Sequence, residues 1–167
     1  IGVAAARELA FLGYAVTVFD AAASAGGMLY QGVPEYRLPR DVIRAEVDRV
    51  LRMGVEMRLE WRLGKDFTVA DLRRNGFSAI FLALGAARGR ELDIPGAHLD
   101  GAINGVEFLL NANLGYHVRL GARVVVVGGG NVAVDVARTA LRYASAETEL
   151  ALPKQAEALL TSWGYDN

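Results

Sequence analysis

The sequence contains no cysteine, which excludes disulfides, thiolate metal sites, cysteine ligation of iron–sulfur clusters and cysteine nucleophiles within this chain. Excess charge is also lacking, because 18 basic and 19 acidic side chains give a net charge of −1. No overall field therefore attracts nucleic acid or anionic lipid. No apolar run reaches the roughly 20 residues of a membrane span. What remains is a chain of 167 residues, 53% apolar, long enough to bury a core and too apolar to be disordered.

The order of hydrophobic patterns along the chain predicts an α/β protein with a mainly parallel sheet. Helical spacing covers residues 3–12, 41–54, 68–74, 106–111 and 131–142, and strand patterns cover residues 14–19, 55–61, 79–84 and 123–127. The last two strands are apolar throughout, which is typical of strands buried on both faces. Asp41 is the predicted cap of the second helix. Residues 21–39 are rich in glycine and proline and predict an irregular loop, whose length favours a functional role.

The most specific nucleotide-binding pattern is the run Gly128-Gly129-Gly130-Asn131-Val132-Ala133. It fits G-x-G-x-x-A between a predicted strand and a predicted helix. Gly128 permits the sharp turn, Gly130 allows a pyrophosphate to approach the backbone, and Ala133 lets helix and strand pack closely. The N–H groups at the helix start would meet the phosphates. The alternative is a chance turn in a chain with 19 glycines. The residue that separates NAD from NADP cannot be placed, although Glu149 lies near the expected distance.

A second, incomplete copy of this pattern opens the chain. Gly2 stands where the third glycine belongs, a predicted helix follows, and the next strand ends at Asp20. A carboxylate at that place accepts hydrogen bonds from ribose hydroxyls. The plainer interpretation of Asp20 is a turn residue that ends a strand. Because the chain starts at Ile1, without the preceding strand and first two glycines, we expect a fragment that binds this nucleotide poorly or not at all.

Four segments carry a resemblance to a known family. They are Gly26–Leu29, Gly32–Ile43, Ala79–Ala86 and Gly128–Arg142. Through them, residues 1–143 resemble the flavin-dependent NADPH oxidoreductases typified by the small (β) subunit of bacterial glutamate synthase, and are similar to the flavin half of dihydropyrimidine dehydrogenase. The G-V-P-x-x-R-L-P stretch is much more specific than either glycine loop. Two residues depart from the family pattern, since Asp20 replaces the usual Glu and Asn131 stands where many relatives have Asp.

The resemblance implies a partial FAD-binding Rossmann-like domain over residues 1–96, followed by the start of an inserted NAD(P)-binding Rossmann-like domain over residues 97–167. It implies FAD contacts at Gly2, Asp20, Gly27, Met28, Arg37, the backbone near Leu63, and Gly85, and NAD(P)H contacts at Gly128, Gly129, Gly130, Asn131, Val132 and Ala133. No catalytic side chain and no metal ligand is expected, because the cofactors carry the hydride chemistry.

The same resemblance implies that electrons leave through iron–sulfur clusters, which this chain does not ligate, to a partner subunit or domain. A cytoplasmic location is expected, without a nucleic-acid or membrane partner. The fragment alone is expected to be inactive, as part of a longer enzyme. One alternative is a non-catalytic nucleotide-binding remnant or interaction module. Another is a Rossmann enzyme with a single nucleotide and no flavin, against which the loop at 26–39 argues.

Several side chains also have plainer interpretations. Arg37 could be an ordinary surface arginine, as most arginines are. His98 and His117 have no partnered cluster of cysteine or acidic residues, so both are expected to be solvated loop histidines. Trp61 is expected in the core, where it would pack and not serve as a stacking platform.

Overall fold

The computed structural model describes residues 1–89, 93–116 and 118–147. The chain divides into two compact units, Ile1–Val118 and a second unit that begins at Arg119. The sequence predicted a boundary after residue 96 between an FAD-binding and an NAD(P)-binding domain. Division into compact units does not test which nucleotide each part binds, so this boundary stays a prediction. His117, Glu149 and the rest of the predicted second domain beyond residue 147 lie outside the described residues.

The described residues form six helices and two short strands. In chain order they are α1 (Gly2–Phe11), β1 (Thr17–Phe19), α2 (Met28–Gln31), α3 (Arg40–Leu51), β2 (Glu56–Arg58), α4 (Val69–Arg74), α5 (Gly105–Asn113) and α6 (Asn131–Glu147). Each predicted helix is present, with ends that differ by a few residues. The mixture of helix and strand agrees with the predicted α/β class.

The two strands form a small parallel sheet, as predicted. β1 and β2 pair with Thr17 opposite Glu56 and Phe19 opposite Arg58. The ladder continues one residue further, because the Asp20 N–H donates to the Arg58 carbonyl over 3.0 Å. In β2 the outer two residues are exposed and the middle one is half-buried, which confirms the predicted alternation. Both strands are shorter than their sequence patterns.

α1 supplies the apolar cover of this sheet. Ala6 is buried in a cluster with Val50 of α3 and Val55, which precedes β2. The half-buried side chains packed around this cluster are Val3, Ala10, Val16 and Val18. The helix ends where predicted, because Gly13 takes a φ of 87°, the left-handed conformation that commonly terminates helices.

α3 begins one residue before the predicted start, and Asp41 is not its cap. Pro39 occupies the cap position and Asp41 lies in the first turn, where its Oδ1 accepts from the Val42 N–H over 2.9 Å. A carboxylate in the first turn still interacts favourably with the helix dipole. The predicted buried face is confirmed at Ile43 and Val50.

α4 begins with a reciprocal capping box at the predicted residue, Thr68. The Thr68 Oγ1 accepts from the Asp71 N–H over 3.2 Å, and the Asp71 Oδ2 accepts from the Thr68 N–H over 2.8 Å. Hydrogen bonds from the Thr68 hydroxyl and backbone, and then from Arg74, lower the pKa of Asp71 to about 2. Buried Leu72 anchors the helix.

Two predicted strands are absent from the structure. Residues 79–84 and 123–127 are described, and neither segment forms a ladder. Their apolar side chains are largely exposed, as shown by Phe81 (62%), Leu84 (74%) and Val125 (85%). A strand buried on both faces needs neighbouring strands and covering layers. No residues within the described ranges supply that ladder, so these two predictions are wrong.

α5 and α6 confirm the predicted helices at 106–111 and 131–142, and both are longer. Asn104 caps α5, because its Oδ1 accepts from the Val106 N–H over 3.0 Å. Phe108 and Leu109 are buried. No helix within the described residues has the length and apolar character needed to cross a membrane.

Candidate nucleotide-binding site

The loop between β1 and α3 is built around α2, so the prediction of an irregular loop is wrong for this short helix. Gly26 and Gly27 precede α2 with φ values of 119° and 55°, which favour glycine. A Cβ at Gly26 would lie 2.9 Å from Ile43 Cγ2 and 3.0 Å from Tyr30 Cβ. The absence of a side chain therefore lets the loop pack tightly onto α3. Around a Cβ at Gly27 no described heavy atom lies within 4 Å, so this side is open.

α2 ends in a tight turn at Gly32. The N–H groups of Gly32 and Val33 both donate to the Met28 carbonyl, over 2.9 and 3.1 Å. The Met28 side chain folds back over Gly32, where a Cβ would overlap its Cε. Gly32 and Pro34 are buried, whereas Gly27 and Met28 are exposed. The loop thus presents Gly27 and Met28 on a buried base.

Arg37 lies on the same loop, in a turn that follows this base. The N–H groups of Arg37 and Leu38 donate to the Pro34 carbonyl over 3.0 and 3.2 Å. The Arg37 side chain is exposed, as the plainer interpretation predicted. Its contact with FAD stays a prediction.

Asp20 ends β1 in the way that the plainer interpretation predicted. Its Oδ1 accepts from the Ala22 N–H over 2.9 Å, which closes a local turn. The Trp61 N–H donates to the Asp20 carbonyl over 3.0 Å, so the chain that leads to Leu63 runs beside Asp20. Leu63 is half-buried and forms a bridge with Phe67.

An aromatic cleft lies at this end of the sheet. The ring of Phe19 is 4.9 Å from Phe67 and 6.0 Å from both Trp61 and Phe77, measured between centroids. The Arg58 guanidinium lies 5.5 Å from the Phe19 centroid and 5.9 Å from that of Trp61. These side chains line a cavity of about 360 Å³. Trp61 is 41% exposed, so the prediction that it belongs to the core is wrong.

Gly2 opens α1 beside the chain that leads to Gly85. A Cβ at Gly2 would lie 3.5 Å from Ala83 Cβ, an ordinary contact distance. Gly85 turns the chain with a φ of 75°. Among the residues predicted to contact FAD, Gly2 lies beside the segment before Gly85, and Asp20 lies beside the segment before Leu63. Gly27, Met28 and Arg37 belong to one loop.

The second glycine turn, Gly128–Gly130, comes directly before α6, although the strand predicted before it is absent. Gly128 has a φ of 130°, and a Cβ there would lie 3.4 Å from Ala133 Cβ. The Gly130 carbonyl accepts from the Val134 N–H over 3.1 Å and opens α6. The N–H groups of residues 131–133 consequently have no acceptor within the helix. No described heavy atom lies within 4 Å of a Cβ built at Gly129 or Gly130, so the backbone is open to approach.

Two residues that the sequence did not single out bind the loop between β1 and α3. Arg40 is buried and donates to the carbonyls of Leu29 and Val33, over 3.1 and 2.8 Å. Asn113 donates to the carbonyls of Gln31 and Val33, over 2.8 and 3.3 Å. A charged residue at a helix start is usually solvated, so Arg40 gave little signal. Asn113 gave none, because its acceptors lie 80 or more residues away in the chain.

Tyr30 of α2 lies close to two arginines of α3. Its ring centroid is 5.1 Å from the Arg40 guanidinium and 5.8 Å from that of Arg44. The Tyr30 hydroxyl accepts from Arg44 Nη2 over 3.0 Å. Hydrogen bonds from Arg44 and then from Ser24 lower the pKa of Tyr30 below its ordinary value.

Known proteins resemble this chain along most of its length. It is 43% identical over 152 residues to the NADP(+)-dependent formate dehydrogenase subunit beta of Moorella thermoacetica, an alignment that covers 89% of this chain and 21% of that protein. It is 38% identical to the NADPH-Fe(3+) oxidoreductase subunit beta of Geobacter sulfurreducens, over 89% of this chain and 23% of that protein. It is 33% identical to the glutamate synthase [NADPH] small chain of Azospirillum brasilense, over 84% and 32%.

The chain spans about a fifth to a third of the length of these relatives. They include a glutamate synthase small chain, which confirms the resemblance drawn from the sequence. Residues 2–160 match the family described as pyridine nucleotide-disulphide oxidoreductase, whose Rossmann-like domains bind FAD and NAD. With its two glycine turns and its parallel strand pair, the chain belongs to the pyridine nucleotide-disulphide oxidoreductase family.

Proposed function

We propose that this chain is the nucleotide-binding part of an FAD-dependent NAD(P)H oxidoreductase similar to the glutamate synthase small subunit. In it, hydride passes from NAD(P)H to FAD, and electrons pass onward to iron–sulfur clusters or a partner subunit. The observation that carries the proposal is the loop from Gly26 to Arg40, which presents an exposed Gly27 and Met28 on a buried base. A Rossmann enzyme with one nucleotide has no use for this segment.

The residues assigned to FAD fit a dinucleotide in three respects. Ile1 at the cap position of α1 makes no side-chain cap hydrogen bond, and the N–H groups that follow Gly2 have no acceptor within the helix, so a phosphate could accept from them. Asp20 ends β1, where its carboxylate can accept from a ribose hydroxyl. Gly27 and Gly85 have open surroundings in the part of the chain that the structure describes. Met28, Arg37 and the backbone near Leu63 complete the proposed FAD contacts.

The residues assigned to NAD(P)H fit a pyrophosphate through the start of α6. The N–H groups of Asn131, Val132 and Ala133 lack helical acceptors, and α6 adds its dipole to them over 17 residues. The open backbone at Gly129 and Gly130 gives a phosphate room to approach. The relatives named for NADPH or NADP(+) favour NADPH as the hydride donor.

When bound, FAD accepts hydride and can release electrons one at a time. The part of this chain is to bind and orient both nucleotides, and no side chain is assigned a catalytic role. With no cysteine, the chain leaves clusters to another part of the protein or to a partner. Three of the relatives are named as beta subunits or small chains, which supports a partner subunit. A cytoplasmic location belongs to the same proposal.

Flavin binding is tested with the natural polypeptide that carries these residues. We expect it to purify yellow, and Arg37→Ala to retain less FAD per chain than Arg52→Ala, which removes another exposed arginine, at the end of α3. A folded, colourless wild-type protein would reject the flavin assignment and leave the non-catalytic nucleotide-binding module as the better function. Equal FAD content in both variants would remove Arg37 from the site.

The second turn is tested by Gly130→Val. A side chain at this position blocks the approach of a pyrophosphate. We expect FAD to stay bound while NADPH no longer bleaches the flavin absorption. The matched control is Gly121→Val in the same unit, where a Cβ would meet nothing closer than the Arg123 carbonyl at 3.9 Å. Normal flavin reduction in the Gly130 variant would show that the turn has no part in the reaction.

A further inference from the structure

We propose that Arg40 and Asn113 are positioning residues that together hold the α2 loop, defined as residues Gly26–Pro34, in the conformation that binds FAD. The inference rests on the proposed flavin function. It adds two residues from different helices, α3 and α5, neither of which lies among the assigned cofactor contacts. The inference is based on the hydrogen-bond donors that the loop's carbonyl groups receive from these two side chains.

The carbonyl groups at the end of α2 need donors from outside the helix. The Val33 N–H would ordinarily reach the Leu29 carbonyl, but it donates to Met28 instead. The next residue, Pro34, has no N–H to offer. The last carbonyls of a helix must then find side chains or water. Arg40 supplies the missing donor to Leu29 over 3.1 Å.

The Val33 carbonyl is the point at which the two side chains meet. It accepts from Arg40 Nη2 over 2.8 Å and from Asn113 Nδ2 over 3.3 Å, so both of its lone pairs are used. Asn113 also binds the Gln31 carbonyl over 2.8 Å. The loop is therefore fastened to α3 and to α5 at the same residue.

The buried guanidinium of Arg40 depends on the α2 loop for its hydrogen-bond partners. Arg40 is 7% exposed, and a buried guanidinium is costly unless its donors are satisfied. Here two carbonyls and the face of Tyr30 surround it. Each of these partners belongs to the α2 loop. A displaced loop would leave the Arg40 guanidinium without these partners. The contacts that Arg40 and Asn113 make with the α2 loop, called the clamp below, therefore favour one loop conformation.

Arg44 provides a matched control on the same helix. It lies one turn beyond Arg40 and is 5.8 Å from the same Tyr30 ring. It donates to the Tyr30 hydroxyl, not to a loop carbonyl. The substitution Arg44→Met removes a guanidinium beside Tyr30, but the carbonyls of Leu29 and Val33 keep their donors.

The test compares Arg40→Met, Arg40→Lys, Asn113→Leu and Arg44→Met in the natural polypeptide. FAD is removed and titrated back, and visible circular dichroism of the bound flavin reports its environment. Hydrogen exchange reports the amides of Gly32 and Val33. We expect Arg40→Met to weaken FAD binding roughly 10- to 100-fold, which corresponds to one or two charge-assisted hydrogen bonds. We expect Arg44→Met to change it less than about threefold.

The conservative and second-site variants keep the test decisive. Arg40→Lys retains the charge with a single donor group and should recover part of the affinity. Asn113→Leu should weaken FAD binding and accelerate exchange of the Gly32 and Val33 amides. If Arg40→Met does not fold, these two variants decide. Wild-type-like affinity and exchange in both would overturn the clamp while the flavin function stands.

Failure of the proposed function itself gives a different result. In that case the wild-type protein would bind no FAD, and the positioning role would fall with it. Loss of FAD affinity that is equal in the Arg40 and Arg44 variants would also overturn the clamp, because it would indicate a general effect of charge on α3.

Discussion

Gly26 is a residue at which a single methyl group should be damaging. An alanine there would place its Cβ 2.9 Å from Ile43 Cγ2 and 3.0 Å from Tyr30 Cβ. Neither neighbour is the free end of a flexible side chain. Ile43 is 7% exposed on the buried face of α3, and the Tyr30 Cβ is attached directly to the backbone of α2. The clash must therefore move one helix relative to the other.

Backbone strain adds to this clash. Gly26 has a φ of 119°, a conformation that costs other residues about 1–3 kcal/mol. Forcing an extra methyl into a packed site costs about 1–3 kcal/mol more. We expect Gly26→Ala to lower the free energy of unfolding by roughly 2–6 kcal/mol, a large part of the ~5–15 kcal/mol that stabilises a domain.

Gly27→Ala separates the two contributions. Gly27 has a φ of 55°, and no described atom lies within 4 Å of a Cβ placed there. Its ψ is −135°, outside the left-handed helical region, so alanine should cost only the backbone strain of this unfavourable conformation, about 1–3 kcal/mol. Thermal unfolding measures the difference, at roughly 2–4 °C for each kcal/mol in a chain of this size. If Gly26→Ala were no less stable than Gly27→Ala, the packing of the loop against Ile43 would be refuted.

Three further predictions concern the first unit. Thr68→Ala should lower the free energy of unfolding by ~1 kcal/mol in urea, because it removes the cap of α4; an unchanged midpoint would contradict the capping box. The pKa of Asp71 is lowered to about 2 from an ordinary 3.8, so its contribution to stability is full above about pH 4 and disappears as the pH falls through about 2. The stability difference between wild type and Asp71→Ala should accordingly vanish over that range, and a difference that persists below pH 2 would contradict it. Val50→Ala should cost roughly 2–3 kcal/mol, since Val50 is buried with Ala6 and Val55, whereas exposed Val42→Ala should cost little in the same unfolding assay.

The helices other than α2 were predictable because their signals are local. Gly13 ends α1 through its own left-handed φ, and Thr68 starts α4 through an acidic residue three positions later. Each of these signals lies within a few residues of the structure that it determines. Asp41 shows the limit of such signals, since an acidic residue favours both the cap and the first turn of a helix.

The strands at 79–84 and 123–127 were wrongly predicted because apolar composition shows only that a segment can be buried, not that it is. Burial and strand pairing depend on what other segments supply, as at β1, where β2 provides the ladder. Phe81 and Val125 find no such neighbour among residues 1–89, 93–116 and 118–147 and remain exposed. The contacts of Arg40 and Asn113 were missed for a related reason, because their acceptors are backbone carbonyls that no side-chain pattern encodes.

Asp20 shows how a structural role and a functional role can share one side chain. Its Oδ1 is engaged by the Ala22 N–H, as expected of a residue that ends a strand. This bond fixes the orientation of the carboxylate at the end of β1 without using the capacity of its second oxygen to accept. The ribose contact proposed for Asp20 requires an acceptor held at this place. The turn is therefore compatible with the nucleotide-binding role, and it supplies the fixed orientation that such a role needs.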